Sequence, residues 1–262
     1  MGTPFGPNWR DMMFLGKESM SDLSIPQLVA DCGVTLLMLR GHDGGWASAS
    51  HGWLTKFFAA CDAAGVRVVI HGYAPDAAQR ERLIRVLLWF PETVIGVYLD
   101  GLDRWKGNRC GLLDWYRGAV WRGVPEIAVF MSSWAGDDHG KLQTRGGQTD
   151  QLAHEHTWAE WLEIGPLMPG RTINGARDVV PEYGWAAPEN RPADMSLSDA
   201  VIDVLAHGLK HHCPTTIKVT KTDLEILAAD PQIRAAYDAA ALSRARWLSD
   251  VDDPFAAIWG SA

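Results

Sequence analysis

Short apolar runs and longer amphipathic ones take turns along almost the whole of this chain, and that alternation restricts the fold more than any single motif does. Met12-Met13-Phe14-Leu15 reads as a strand, residues 23–32 as a helix closed by Gly33, and Val34 to Leu39 as a second strand. A helix over 51–64 closed by Gly65 leads into a strand at 66–71. Residues 77–89 then read as a helix with Asp76 placed to cap it. Strands at 93–99 and 127–131 flank a helix over 112–122 that ends at Gly123. Residues 157–162 read as helical, 171–174 as a short strand, 197–211 as a helix and 215–220 as a strand. Helices over 223–229 and 232–247 follow.

Strand, helix and strand repeated this often imply right-handed crossovers and a parallel sheet. The number of strand candidates suits a (β/α)8 TIM-type barrel, and 262 residues suit such a barrel as a single domain over 1–262. The rival is a doubly wound open sheet, whose strongest cue is a Gly-rich phosphate turn after the first strand. Phe14-Leu15-Gly16-Lys17-Glu18-Ser19 carries neither GxGxxG nor a P-loop. A long irregular loop region runs from about 134 to 191, rich in Gly, Asp, His and Pro. It follows the fifth strand, so it belongs at the C-terminal face.

The formal charge of −8 argues against a nucleic-acid backbone or an anionic membrane as partner, because both need clustered cations. No run of 18 apolar residues exists, so no transmembrane helix is expected. Met1 to Arg10 lacks a basic stretch followed by an apolar one, which makes the cytoplasm the default expectation. Cys32, Cys61, Cys110 and Cys213 form no CxxC pair and read as free thiols, with Cys32 and Cys61 buried in helices. Thirteen tryptophans are unusual: the indole is an apolar plate with one donor, fit for a core and also for stacking on a sugar ring.

In a parallel barrel the chemistry sits where the strands end, so polar residues at those ends are the informative ones. The second strand runs out through Arg40-Gly41-His42-Asp43-Gly44-Gly45-Trp46, the third through His71-Gly72-Tyr73, the fourth through Tyr98-Leu99-Asp100-Gly101, and the fifth through Ser132-Ser133-Trp134. Side chains alternate along a strand, so Tyr98 and Asp100 share a face. Val97 and Leu99 suit the helix-facing side, which leaves Tyr98 and Asp100 for the barrel. An acidic, aromatic mouth bearing histidines fits glycoside hydrolysis, which needs two carboxyl groups around the glycosidic bond. The expected sugar-binding residues are His42, Trp46, His71, Tyr73, Tyr98 and Trp134. Each has a plainer reading: Asp100 and Asp103 as turn or cap carboxylates, His42-Asp43-Gly44 as a turn, His71 and Trp134 as core.

These segments resemble glycoside hydrolase family 29, the α-L-fucosidases. GVTLLMLRGHDGGWASAS, from Gly33 to Ser50, is similar to the family's second strand, which is followed by His-His-Asp-Gly and an aromatic. Val97-Tyr98-Leu99-Asp100-Gly101 is similar to its Trp-Phe-Asp-Gly strand end, and Arg171-Thr172-Ile173-Asn174 to a later Thr-Ile-Asn motif. The resemblance spans roughly residues 33 to 174. It implies Asp100 as the nucleophile and His42 as a ligand of a sugar hydroxyl, with Tyr73 in the same pocket.

The chain departs from the family where Gly41-His42 replaces paired histidines, Tyr98 replaces Trp, and Met168-Pro169-Gly170 stands before Thr-Ile-Asn where the family has a Glu. The acid/base is therefore read from this chain alone. Glu182 ranks first, in the long loop beside Tyr183 and Trp185, where desolvation raises a carboxyl's pKa; Glu163 and Glu18 follow. No cofactor and no required metal are expected. Asp137-Asp138-His139 with His154-Glu155-His156 lacks the HExxH spacing, and His207 with His211 suits a solvated helix face. The partner is then a carbohydrate substrate. A non-catalytic carbohydrate-binding barrel and a metal-dependent hydrolase are the alternatives.

Overall fold

The computed structural model describes residues 11–15, 22–40, 45–72, 77–99, 123, 128–132, 151–155, 179–182, 191, 193–210 and 215–249. Eight strands lie within them: β1 (Met12–Leu15), β2 (Leu36–Leu39), β3 (Arg67–Gly72), β4 (Val94–Leu99), β5 (Ala128–Ser132), β6 (Gln151–Glu155), β7 (Val179–Glu182) and β8 (Thr216–Val219). The helices are α1 (Ile25–Asp31), α2 (His51–Ala63), α3 (Ala77–Trp89), α4 (Leu197–Lys210), α5 (Lys221–Ala229) and α6 (Pro231–Ser249).

Every strand pairing is parallel, and the order is β7-β6-β5-β4-β3-β2-β1-β8. The two outermost strands, β7 and β8, approach each other, so the sheet curls round as a barrel does. All four residues of β1 and all four of β2 are buried, as expected of strands covered on both faces.

Two apolar layers follow from the strand alternation. Met13, Leu15, Leu37, Leu39, Val68, Ile70, Val97, Ile217 and Val219 pack with Ile25, Val29, Leu54, Phe57 and Leu83 of the helices, forming the outer layer. Met12, Phe14, Leu36, Met38 and Val69 form a second cluster drawn from strands alone, with Ile95 against it; this is the barrel interior. Val97 thus faces the helices as the sequence predicts, and a bulge opposite Val68 and Val69 turns Ile95 inward.

Local chemistry fixes the ends of these elements. The Ser50 hydroxyl accepts from the Trp53 amide at 3.1 Å and starts α2. Thr220 and Asp223 form a reciprocal capping box, which starts α5 at Lys221, two residues before the position expected from the sequence. Gly33, at φ 86°, turns the chain from α1 into β2; a Cβ there would meet Arg234 Cδ at 3.0 Å and Tyr237 Cβ at 3.3 Å of α6. At the barrel base the buried Asp11 carboxylate accepts from both the amide and the hydroxyl of Thr215, at 2.8 and 2.7 Å, and so ties the start of β1 to the start of β8.

Two expectations are corrected. Residues 151–155 and 179–182 are strands, where the sequence suggested irregular chain. Glu182 accordingly ends a strand instead of sitting in a loop. QLAHE and VVPE are short and broken by polar residues or proline, so neither shows a continuous apolar run. The expected helices at 112–122 and 157–162 and the expected strand at 171–174 lie outside the described residues. No described helix is long and apolar enough to cross a membrane.

Candidate active site

Of the candidate residues, His71, Tyr98 and Glu182 lie in the C-terminal parts of their strands. His71 is the fifth residue of β3, only 2% exposed, and its ring centroid lies 5.2 Å from that of Phe14 at an interplanar angle of 48°. Phe14 belongs to the barrel interior, so the His71 imidazole looks into the barrel near its mouth. Tyr98 of β4 is the register partner of His71, and β4 ends at Leu99, one residue before Asp100. Glu182 closes β7 and is the register partner of Glu155, which closes β6. His42, Tyr73, Asp100 and Trp134 lie outside the described residues.

Trp46 departs from expectation. Its ring is 2% exposed and packs in the helix-side layer, while its indole N–H donates to the His71 carbonyl at 2.9 Å. A sugar ring stacking on it would need a face that the core covers. Its contribution is to tie the segment leaving β2 to the last residues of β3, fixing the backbone that carries His71. Arg82 of α3 braces the same turn by donating to the carbonyls of Ala49 and, at 3.3 Å, Trp46.

Strand alternation brings two further residues to the mouth that the sequence reading passed over. In β8, Ile217 and Val219 face the helices, so Thr216 and Lys218 face the barrel. Lys218 is the register partner of Phe14. In β2, Leu36 and Met38 face the barrel, and continuing the alternation one residue past the strand end puts Arg40 in step with them. Both cations are partly buried. The signal was available: a lysine at an alternate position in Thr216-Ile217-Lys218-Val219, and an arginine in step with Leu36 and Met38.

Cys32 and Cys61 behave as the sequence suggests, while Cys110 and Cys213 lie outside the described residues. Cys32 and Cys61 are free and buried; burial pushes the Cys32 thiol up to about 12 and raises that of Cys61 further, so neither is a nucleophile near neutral pH. Among the described residues no three His, Cys, Asp or Glu side chains gather as a metal site would require.

No family model matches the chain, and no curated protein matches it. The likeness to α-L-fucosidases therefore has no support at family level. Among solved structures, the chain is similar to a ligand-free cyclic α-maltosyl-(1→6)-maltose hydrolase from Arthrobacter globiformis, with 9% identity over 89% of this chain and 82% of that one, at a TM-score of 0.55. It is similar to a putative aldo-keto reductase from Pseudomonas aeruginosa, with 12% identity over 88% and 90% of the two chains and a TM-score of 0.52. It is also similar to a protein of Thermus thermophilus, Ttha1563, with 12% identity over 87% and 72% and a TM-score of 0.51. Identities this low show the fold alone: an α/β barrel with a parallel sheet, a frame that hosts varied enzyme chemistry.

Proposed function

We propose that this barrel is a retaining glycoside hydrolase in which Asp100 attacks the anomeric carbon and Glu182 protonates the leaving oxygen. The observation that carries the reading is the set of strand ends. β4 stops one residue before Asp100, β7 stops on Glu182, and the buried His71 looks into the barrel near its mouth. Carboxyl-bearing residues at the C-terminal ends of strands are where a barrel of this kind holds its catalytic groups. Glu155, which closes β6, is the register partner of Glu182 and is a second carboxyl-bearing residue at a strand end.

His42, His71, Tyr73, Tyr98 and Trp134 bind the sugar in this reading, while Trp46 holds the His71 backbone in place. The maltose-derivative hydrolase from Arthrobacter globiformis is an example of glycosidic chemistry on a barrel of similar architecture. The resemblance of residues 33–50 and 97–101 to the fucosidase segments makes α-L-fucosides the first substrates to try.

The test is hydrolysis of a panel of aryl glycosides, α-L-fucoside included, by the wild type, Asp100→Asn and Glu182→Gln. One glycoside should turn over with retained configuration, Asp100→Asn should lose most of the rate, and Glu182→Gln should fall about 10²–10⁴-fold on substrates with poor leaving groups. Full activity in Asp100→Asn would remove the nucleophile assignment. An inverted product would replace the covalent route by direct attack of water, with carboxyl groups about 6.5–9.5 Å apart in place of about 5–5.5 Å. A wild type that binds glycans but hydrolyses none would instead be a carbohydrate-binding barrel.

A further inference from the structure

We propose that the sugar taken by this mouth carries an anionic group, a carboxylate or a phosphate, held by Lys218 and Arg40. The inference rests on the glycoside reading for the sugar but not for the anion. Lys218 on β8 and Arg40 after β2 flank β1 on its two sides, and Phe14 of β1 sits between them on the same inward face. The register runs from Lys218 to Phe14 to Met38, and Arg40 lies two residues beyond Met38 toward the mouth. His71, whose ring meets Phe14, borders the same patch.

Neither cation is neutralised by a described residue: no hydrogen bond or ion pair joins the Lys218 side chain or the Arg40 guanidinium to any of them. The ion pairs among the described residues lie elsewhere, at Arg67 with Asp62, Lys221 with Asp22 and Glu225, and Arg234 with Asp238. Partly buried positive charge beside the apolar side chains of Met12, Phe14 and Met38 is unfavourable by itself. A core position would be served better by an apolar residue of the same length.

An anionic group docked there would be met by a forked guanidinium able to bind two oxygens at once and by an ammonium on the opposite side of Phe14. The mouth would then be divided. Its β8–β1–β2 side carries the charge that recognises the substrate, apart from strands β4, β6 and β7, at or after whose ends the carboxyl residues of the proposed reaction fall in sequence.

The test is calorimetric titration of the full chain with glucose, glucuronate and glucose 6-phosphate at low and high salt, together with melting of the unliganded protein. Wild type should bind one anionic sugar at least about ten-fold more tightly than glucose, and that preference should shrink as salt rises. Whichever of glucuronate and glucose 6-phosphate binds more tightly identifies the group as carboxylate or phosphate. Lys218→Met and Arg40→Met should each lose the preference, and Lys218→Arg should keep part of it. Unliganded Lys218→Met should melt no lower than wild type, because an inward cation has been replaced by an apolar chain of similar length. Equal affinity for glucose and both anionic sugars would overturn the proposal, as would a preference that survives Lys218→Met or a Lys218→Met midpoint well below that of wild type. Turnover of neutral aryl glycosides with no anion preference sinks this inference and leaves the glycosidase reading standing. Binding of an anionic sugar with no aryl glycoside hydrolysed does the reverse.

Discussion

Replacing Trp46 by phenylalanine separates a structural indole from a sugar-stacking one. The ring is 2% exposed, and its N–H makes a 2.9 Å hydrogen bond to the His71 carbonyl in a region closed to water. Phenylalanine keeps an aromatic plate but has no donor, so the carbonyl is left buried and unsatisfied, at about 1–3 kcal/mol. The lost second ring leaves unfilled space in the helix-side layer and adds about 1 kcal/mol more. The expected total is about 2–4 kcal/mol. For a chain of this size that lowers the melting midpoint by on the order of 10 °C. The assay is thermal melting by circular dichroism of wild type and Trp46→Phe, with Trp89→Phe as control; Trp89 is 40% exposed and should shift the midpoint little. A Trp46→Phe midpoint within about 2 °C of wild type, coupled with weaker glycan binding, would mean that the indole faces ligand and would refute the structural assignment.

Three further outcomes follow from the described contacts. Asp11→Ala strips the buried amide and hydroxyl of Thr215 of their acceptor where β1 meets β8, and urea unfolding should report a loss of about 2–4 kcal/mol with a similar denaturant slope. Tyr237 is buried in α6 with its hydroxyl unpartnered among the described residues and its pKa well raised, by burial first and then by the nearby Asp11 and Cys32. Tyr237→Phe removes that polar group without changing the ring, so it should leave stability unchanged or raise it by about 1 kcal/mol; a clear loss in urea would show that the hydroxyl has a partner. Asp22 has its carboxyl held well below the usual range by hydrogen bonds from Lys221 and from Ser24. A depressed carboxyl contributes stability that is present above its unfolded value near about 4 and is lost as pH falls through its folded value. Asp22→Asn should therefore flatten the acid limb of stability against pH, and because the pair is exposed the difference should shrink in high salt; an unchanged acid limb would rule the pair out as a contributor.

How far the sequence spoke depended on what each element asks of its residues. Residues 77–89 were legible to the residue, and 51–64 to within one. Helices of 13 residues repeat their apolar face often enough to be unambiguous, and a hydroxyl cap or a left-handed glycine marks an end. The strands of the first half were legible because both of their faces are buried, which writes them as unbroken runs such as Leu36-Leu37-Met38-Leu39. β6 and β7 were not. QLAHE places polar residues where a buried strand would place apolar ones, and Pro181 removes a ladder donor from VVPE. Their strand character comes from neighbours in the sheet, a tertiary cause that local composition does not record.

The cues sought for the candidate site were those of strand ends and, for the acid, of a loop beside aromatics. β4 ends one residue before Asp100 and His71 lies near the end of β3, whereas Glu182, sought in a loop, closes a strand, and Trp46, valued for its chemistry without its surroundings, proved to be enclosed. Lys218 and Arg40 were missed for the opposite reason. Each looks ordinary in sequence, a lysine in a short strand and an arginine after one, and only the pairing of β1 with β2 and β8 puts them on either side of Phe14. A charge on the inward face of a barrel carries more information than one on a loop, because the interior otherwise selects against it. Removing an inward cation that no described residue pairs should favour the fold, while removing a paired buried carboxylate such as that of Asp11 should harm it. The opposite signs expected for Lys218→Met and Asp11→Ala therefore separate a residue kept for a ligand from one kept for the barrel, without the ligand having been identified.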